Sequence, residues 1–173
     1  MTLLRRIRIA TALVVALAAA PALATGAAAP RMSANSIDSI AVPDAPFDRS
    51  ADADHDVAAA FARAAEEHKR VLIDLGANWC ADCRILVGVM ALPELRAFLD
   101  AHFAVVSVDV GRFNRNLQIP ARFGVTDRLE GVPIILIATP DGMLVNRGHV
   151  DALVEARKLT PQAISDWLAT WAE

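Results

Sequence analysis

The two cysteines of the chain, Cys80 and Cys83, stand two residues apart where one hydrophobic pattern gives way to another. Before them, Val71 to Leu75 is a short apolar run of strand type that ends at Gly76-Ala77-Asn78. After them the pattern is helical and continues to about Met90. The pair is therefore predicted to lie at a strand-to-helix junction, with Cys80 at the N-terminus of the helix.

A disulfide between these cysteines would close a very small loop and restrain little of the unfolded chain. We therefore interpret the pair as a redox pair and not as a structural bridge. Free N–H groups and the positive end of the helix dipole stabilise a thiolate at a helix N-terminus, which makes Cys80 the predicted nucleophile. Cys83, one turn further along, is placed to attack a mixed disulfide formed at Cys80 and so to resolve it.

Helical and strand patterns alternate along the rest of the chain. Helices between strands indicate parallel pairing, and the turn Thr139-Pro140-Asp141-Gly142 predicts one antiparallel return. We expect a single α/β domain with a four-stranded mixed sheet flanked by helices. The first predicted helix has Asp52 or Asp54 as its N-cap and runs to about residue 68, and further helices are predicted at 80–90, 93–101, 116–123 and after a cap at Thr160-Pro161. The predicted strands cover residues 71–75, 103–110, 134–138 and 143–146.

The N-terminus predicts export. Arg5, Arg6 and Arg8 precede an apolar run that ends in an Ala-x-Ala site, which is the layout of a signal peptide over residues 1–24, with cleavage as late as residue 29 as the alternative. An uncleaved membrane anchor is a second alternative. Residues 25–53 are predicted to be a flexible leader and residues 54–173 the domain. We therefore expect a periplasmic or secreted protein.

The charge and the remaining polar residues exclude other classes of site. Loss of Arg5, Arg6 and Arg8 with the signal peptide would take the formal charge from −3 to −6, and no basic cluster remains to bind nucleic acid. The four histidines do not stand at ligand-like spacing from the cysteines, which argues against zinc. Two thiolates alone would still permit Cu(I), so a copper-binding protein stays an alternative.

The stretch Val71-Leu72-Ile73-Asp74-Leu75-Gly76-Ala77-Asn78-Trp79-Cys80-Ala81-Asp82-Cys83, together with Gly131-Val132-Pro133, resembles the active-site segments of the thioredoxin superfamily. The resemblance covers roughly residues 56–172. It implies a thioredoxin-like fold and a redox-active disulfide as the only cofactor. It also implies a cis Pro133 that faces the cysteines, pairing of substrate with the backbone of Val132, and a substrate-facing Trp79.

Asp74 interrupts an otherwise aliphatic strand. If it is buried, the loss of hydration raises the pKa of its carboxyl group. A carboxyl group of that kind near Cys83 would accept and return the proton of the resolving thiol. Strand alternation alone leaves open a solvent-facing Asp74, and the family resemblance favours the buried, proton-transferring role.

Some positions depart from thioredoxin itself. Gly76 stands where that protein usually has a second tryptophan, and Ala81-Asp82 replaces the usual Gly-Pro between the cysteines. Extra residues around Pro93 and between Arg112 and Asn116 indicate a divergent, exported branch.

Ala81 and Asp82 are predicted to tune the redox potential. The Asp82 charge would oppose the Cys80 thiolate and favour a reductant, whereas an exposed Asp82 would only support the helix start. We therefore predict a monomeric reductase of disulfides in exported proteins, supplied with electrons by a membrane-bound donor. A disulfide oxidase or isomerase is the alternative enzyme.

Overall fold

The computed structural model describes residues 27–125, 129 and 131–172, so the predicted signal peptide lies outside the described residues. Five α-helices and three β-strands occur in that part of the chain. In chain order they are α1 Ala53–Glu67, β1 Arg70–Gly76, α2 Ala81–Met90, α3 Pro93–His102, β2 Phe103–Asp109, α4 Gln118–Arg122, β3 Ile134–Ala138 and α5 Pro161–Thr170, with short 3₁₀ helices at Ile37–Ser39 and Ala156–Lys158. None of the described helices is long and apolar enough to cross a bilayer.

The sheet has the order β2-β1-β3, with β1 parallel to β2 and antiparallel to β3. Side chains alternate across β1, so the two faces of the sheet belong to different clusters. Val71, Ile73 and Leu75 pack with α1 in one hydrophobic cluster. Leu72 packs with α2, α3 and α5 in the other. The predicted α/β architecture, a mixed sheet flanked by helices, is confirmed.

The predicted fourth strand is wrong. Residues 143–146 form only an isolated bridge, Ala138 to Leu144, within the described chain. Beyond this bridge, the Asn146 side chain takes the place of a strand partner for β3. Its Oδ1 accepts from Ile137 N at 3.0 Å, and its Nδ2 donates to Ile135 O at 2.8 Å. Asn146 is fully buried, and its two hydrogen bonds satisfy the N–H group of Ile137 and the carbonyl group of Ile135, which would otherwise be buried without a partner. A side-chain amide thus ends the sheet at three strands.

The predicted flexible leader is also wrong for its described part, residues 27–52. Met32 and Phe47 are buried in the two core clusters, with 6% and 2% of their surface exposed. Met32 N donates to Gln162 Oε1 at 2.9 Å, which fastens the segment to α5. A composition of small and polar residues predicts disorder, but a few well-placed apolar side chains are enough to order a segment against an existing core.

Of the two predicted N-cap candidates for α1 the structure uses Asp52, and the predicted cap of α5 is confirmed, whereas α4 begins at Gln118, two residues after its predicted start. Asp52 caps α1 through a bond from His55 N to its Oδ1 at 3.1 Å, and Thr160 caps α5 through a bond from Ala163 N to its Oγ1 at 3.1 Å. The cap residue of α2 is Cys80 itself. The helix that follows β1 therefore begins at the first cysteine, which fixes where the sulfur stands relative to the sheet.

Candidate active site

Cys80 and Cys83 form a disulfide at the N-terminus of α2. Cys83 N donates to Cys80 Sγ at 3.1 Å, so the sulfur receives one of the free N–H groups of the first helical turn. Cys80 has 6% of its surface exposed and Cys83 has none. Of the two cysteines, only Cys80 has any exposed surface, and a negative charge on its sulfur would be stabilised by the helix N-terminus.

The Val132–Pro133 peptide bond is cis, which is the geometry that the family resemblance implied. It presents the carbonyl oxygen of Val132 at 3.3 Å from Cys80 Sγ. Val132 and the cysteine pair all belong to one buried cluster. The loop before β3 therefore lies directly against the reactive sulfur, although Cys80 and Val132 are 52 positions apart in the sequence.

Asp74 is fully buried in β1, so the alternative of a solvent-facing carboxyl group is wrong. Neither of its oxygens has a hydrogen-bond partner among the described residues. Loss of hydration raises the pKa of Asp74 from its ordinary 3.8 to about 7. Because side chains alternate along a strand, Asp74 shares a face with Leu72, which packs with the later residues of α2. Cys83, in the first turn of that helix, belongs to the other cluster.

Trp79 is 48% exposed, and the loop that follows β2 fixes its position. Its Nε1 donates to Gly111 O at 2.7 Å, and its ring meets Phe113 edge to face at 5.9 Å. The guanidinium group of Arg112 lies 5.6 Å from the indole centre. An aromatic surface is therefore held in place immediately before Cys80.

Asp82 does not sit exposed at the helix start, since only 7% of its surface is accessible. Its Oδ1 accepts from Arg157 N at 2.9 Å, and its Oδ2 lies 3.4 Å from Arg157 Nη2. The Arg157 contacts offset part of the negative charge that Asp82 brings to the motif. The expected repulsion of the Cys80 thiolate is therefore weaker than the sequence alone suggests.

Sequence reasoning missed Phe47, which supports the site from the N-terminal segment. Phe47 N donates to Asn78 Oδ1 at 2.9 Å, and Asn78 Nδ2 donates back to Phe47 O at 2.8 Å. Its ring occupies the space that any side chain at Gly76 would need. The glycine that departs from thioredoxin is thus matched by an aromatic ring from elsewhere in the chain. The signal was the single aromatic residue between positions 25 and 52.

Among the described residues there is no group of three or more His, Cys, Asp and Glu side chains arranged to hold a metal ion. The arrangement as described supports dithiol chemistry. It combines a slightly exposed cysteine at a helix N-terminus, a fully buried partner cysteine, and a buried carboxyl group whose pKa lies near neutrality.

Residues 52–140 match the model of a family described as thioredoxin-like. The fold is similar to the crystal structure of a disulphide isomerase from Xylella fastidiosa Temecula1, with a TM-score of 0.67 and 36% identity over 72% of this chain and 94% of that one. A protein of unknown function from Pseudomonas aeruginosa also matches, with a TM-score of 0.37 and 16% identity over 68% of this chain and 82% of that one. Comparison with curated proteins gave no match.

Proposed function

The chain belongs to the thioredoxin-like family, and from that premise we propose that it is an extracytoplasmic thiol–disulfide oxidoreductase that reduces disulfides in exported proteins. The observation that carries the proposal is the Cys80–Cys83 disulfide, held at the start of α2 against the carbonyl of Val132. The proposed reaction needs no cofactor other than the cysteine pair.

In the proposed reaction the reduced protein is the reactant. The Cys80 thiolate attacks one sulfur of a substrate disulfide, a bond forms between Cys80 and that sulfur, and the other substrate sulfur leaves as a thiolate and takes up a proton. Cys83 then loses its proton and attacks Cys80 Sγ. The Cys80–Cys83 bond forms, the mixed disulfide breaks, and the second substrate thiol is released. Two electrons pass to the substrate and the cysteine pair is oxidised.

Asp74 is the group we propose as acceptor of the Cys83 proton. A carboxyl group with a pKa of about 7 can exist in either protonation state near neutral pH, which is what a proton acceptor and donor requires. Asp74 is fully buried, and neither carboxyl oxygen has a hydrogen-bond partner in the described chain, so no other donor competes for the proton site. In the reverse direction the same group would return the proton.

Val132 and Trp79 are the proposed substrate contacts. The Val132 carbonyl points at the reactive sulfur, so an extended substrate segment paired with this backbone would carry its disulfide to Cys80. Trp79 offers an apolar face of fixed orientation beside the same sulfur. Pro133 lacks a backbone N–H, which removes a donor that would compete with the incoming segment.

The proposal includes a direction of electron flow, from the cysteine pair to the substrate disulfide. Asp82 favours a reductant, and Arg157 moderates its effect. Isomerisation is the second candidate, because the Xylella fastidiosa relative is described as a disulphide isomerase. Equilibration with glutathione separates the cases: a reductase is expected near −270 mV, about the thioredoxin value, and an isomerase near −180 mV. A potential near −120 mV, about that of a strong periplasmic oxidant, would refute the proposal.

The proposal of export rests on the N-terminal sequence pattern and on the packing of the chain from residue 27 onward. Ala27 packs against the second core cluster, so cleavage after Ala24 preserves a contact that cleavage after Ala29 would remove. We expect the mature protein to be a monomer that receives electrons from a membrane-bound donor. Mass measurement of the N-terminus after expression of the full chain tests the cleavage position.

A trapping experiment tests the activity itself. In a Cys83→Ala variant the mixed disulfide at Cys80 cannot be resolved, so disulfide-linked substrates should accumulate and be released by reductant. A Cys80→Ala variant is the matched control and should trap none. Equal trapping by both variants, or by neither, would contradict the proposed roles of the two sulfurs.

A further inference from the structure

A groove of about 390 Å³ opens beside Trp79, the residue that precedes the reactive Cys80. Three arginines line it, Arg49 from the N-terminal segment and Arg112 and Arg115 from the loop after β2. We name it the arginine groove after these three residues. The loop residues include the extra stretch that distinguishes this chain from thioredoxin.

The arginine groove has a positive excess. Its acidic lining residue is Asp109, which is buried and accepts from Gly111 N at 2.8 Å while lying 4.0 Å from Arg115 Nη1. Within the described part of the chain, the guanidinium groups of Arg49 and Arg112 form no ion pair, and both residues are exposed. The chain as a whole carries a formal charge of −3, so this local positive charge opposes the general field of the molecule.

Hydrogen bonds within the loop after β2 hold the part of the arginine groove that this loop forms. Asn114 Oδ1 accepts from Arg112 N at 3.0 Å, and Asn116 Nδ2 donates to Asp109 O at 2.8 Å. Phe113 and Asn116 adopt left-handed backbone angles, with φ of 60° and 53°. Such angles are unfavourable for residues other than glycine and persist where surrounding contacts impose them. Arg112 and Arg115 thus lie on a loop whose conformation is supported by internal hydrogen bonds.

We propose that the arginine groove binds carboxylate side chains of the protein substrate, next to the disulfide that Cys80 attacks. Guanidinium groups recognise carboxylates through two parallel hydrogen bonds, and those of Arg49 and Arg112, which form no ion pair with a described residue, can form such bonds. A segment seated along Val132 and Trp79 would extend into this groove. The inference rests on the proposed function and adds a substrate class to it: disulfides flanked by Glu or Asp.

The test compares two peptides that contain the same intrachain disulfide and differ only in three flanking positions, Glu in one and Gln in the other. Second-order rate constants for their reduction by the dithiol form are measured by acid quench and chromatography. The ratio of the two constants is the readout. Because both peptides meet the same thiolate, any change in Cys80 reactivity cancels from the ratio.

The wild-type protein is expected to prefer the Glu peptide by about fivefold or more at low salt, since exposed ion pairs contribute about two- to fivefold each. The ratio should fall towards one in an Arg49→Gln/Arg112→Gln variant and in 0.5 M NaCl. Arg96→Gln is the matched control: Arg96 pairs with Asp100 on α3, and its loss removes one positive charge without touching the groove. Its ratio should equal that of the wild type.

Three outcomes would overturn the inference. Equal rates for both peptides would refute the arginine groove while leaving the proposed reductase intact. The double variant removes two positive charges and Arg96→Gln removes one, so a fall in Arg96→Gln that is about half as large on a logarithmic scale would assign the preference to net charge. Reduction of neither peptide would refute the proposed function, and with it the substrate class.

Discussion

Replacement of Asp74 by asparagine should make the free energy of unfolding of this protein depend much less on pH. The carboxyl group is fully buried without a hydrogen-bond partner in the described chain, and burial raises its pKa to about 7 from 3.8. Between those values the folded state holds a proton that the unfolded chain has lost. Stability from the neutral carboxyl group is therefore fully present below pH 3.8 and is lost as pH rises to about 7.

The magnitude follows from the two pKa values. Their difference corresponds to about 4 kcal/mol of unfolding free energy, of which about 3 kcal/mol should be lost between pH 5 and pH 8. Asparagine is nearly isosteric and does not ionise. The unfolding free energy of Asp74→Asn should therefore vary less with pH than that of the wild type, and the two curves should diverge by about 3 kcal/mol over this interval.

The assay is urea denaturation of the oxidised protein at half-unit intervals from pH 5 to pH 8, so that no thiol titrates in either state. Ile73→Val is the matched control, because it removes one buried methylene beside Asp74 and should cost about 1 kcal/mol at every pH. Parallel curves for the wild type and Asp74→Asn would refute the reasoning. They would mean that Asp74 ionises as easily in the folded protein as in the unfolded chain.

Two further predictions concern the corrected parts of the fold. Phe47→Ala should lower the unfolding free energy by about 3–5 kcal/mol because it empties the space above Gly76, and Phe47→Leu should cost less; an unchanged denaturation midpoint would show that the N-terminal segment does not belong to the domain. Asn146→Ala should cost about 2–4 kcal/mol because Ile137 N and Ile135 O lose their buried partners, and thermal unfolding at matched pH measures it. A loss no larger than that of an exposed substitution such as Asp151→Ala would contradict the bridging role of Asn146.

The cysteine pair and its helix could be predicted because the signals are local. The change in hydrophobic periodicity, the cap residue and the spacing of the cysteines all involve neighbouring residues. Local interactions therefore determine where the helix begins. The same is true of the starts of α1 and α5, where Asp52 and Thr160 cap the helices. The cis bond at Pro133 came from family resemblance and not from spacing.

The N-terminal segment and the sheet edge could not be predicted in this way. Phe47 is ordered by contact with Gly76 and Asn78, about thirty residues further along, and composition around it indicates a flexible chain. Residues 143–146 have strand character, yet Asn146 satisfies the β3 backbone with its side chain. Both outcomes depend on contacts and buried hydrogen-bonding groups that come together only when the chain folds. The local sequence around Phe47 or Asn146 does not indicate these partners.

The sequence by itself determined the chemistry of this protein: two cysteines at a helix start, an acid in an aliphatic strand and a proline before the third strand. Only the tertiary structure decided the environment of those groups. It buried Asp74 without a partner, set the Val132 carbonyl 3.3 Å from Cys80 Sγ, and brought Arg157 to Asp82. Residue types fix which atoms can react, whereas charge stabilisation depends on distance and hydration, which only the folded chain sets.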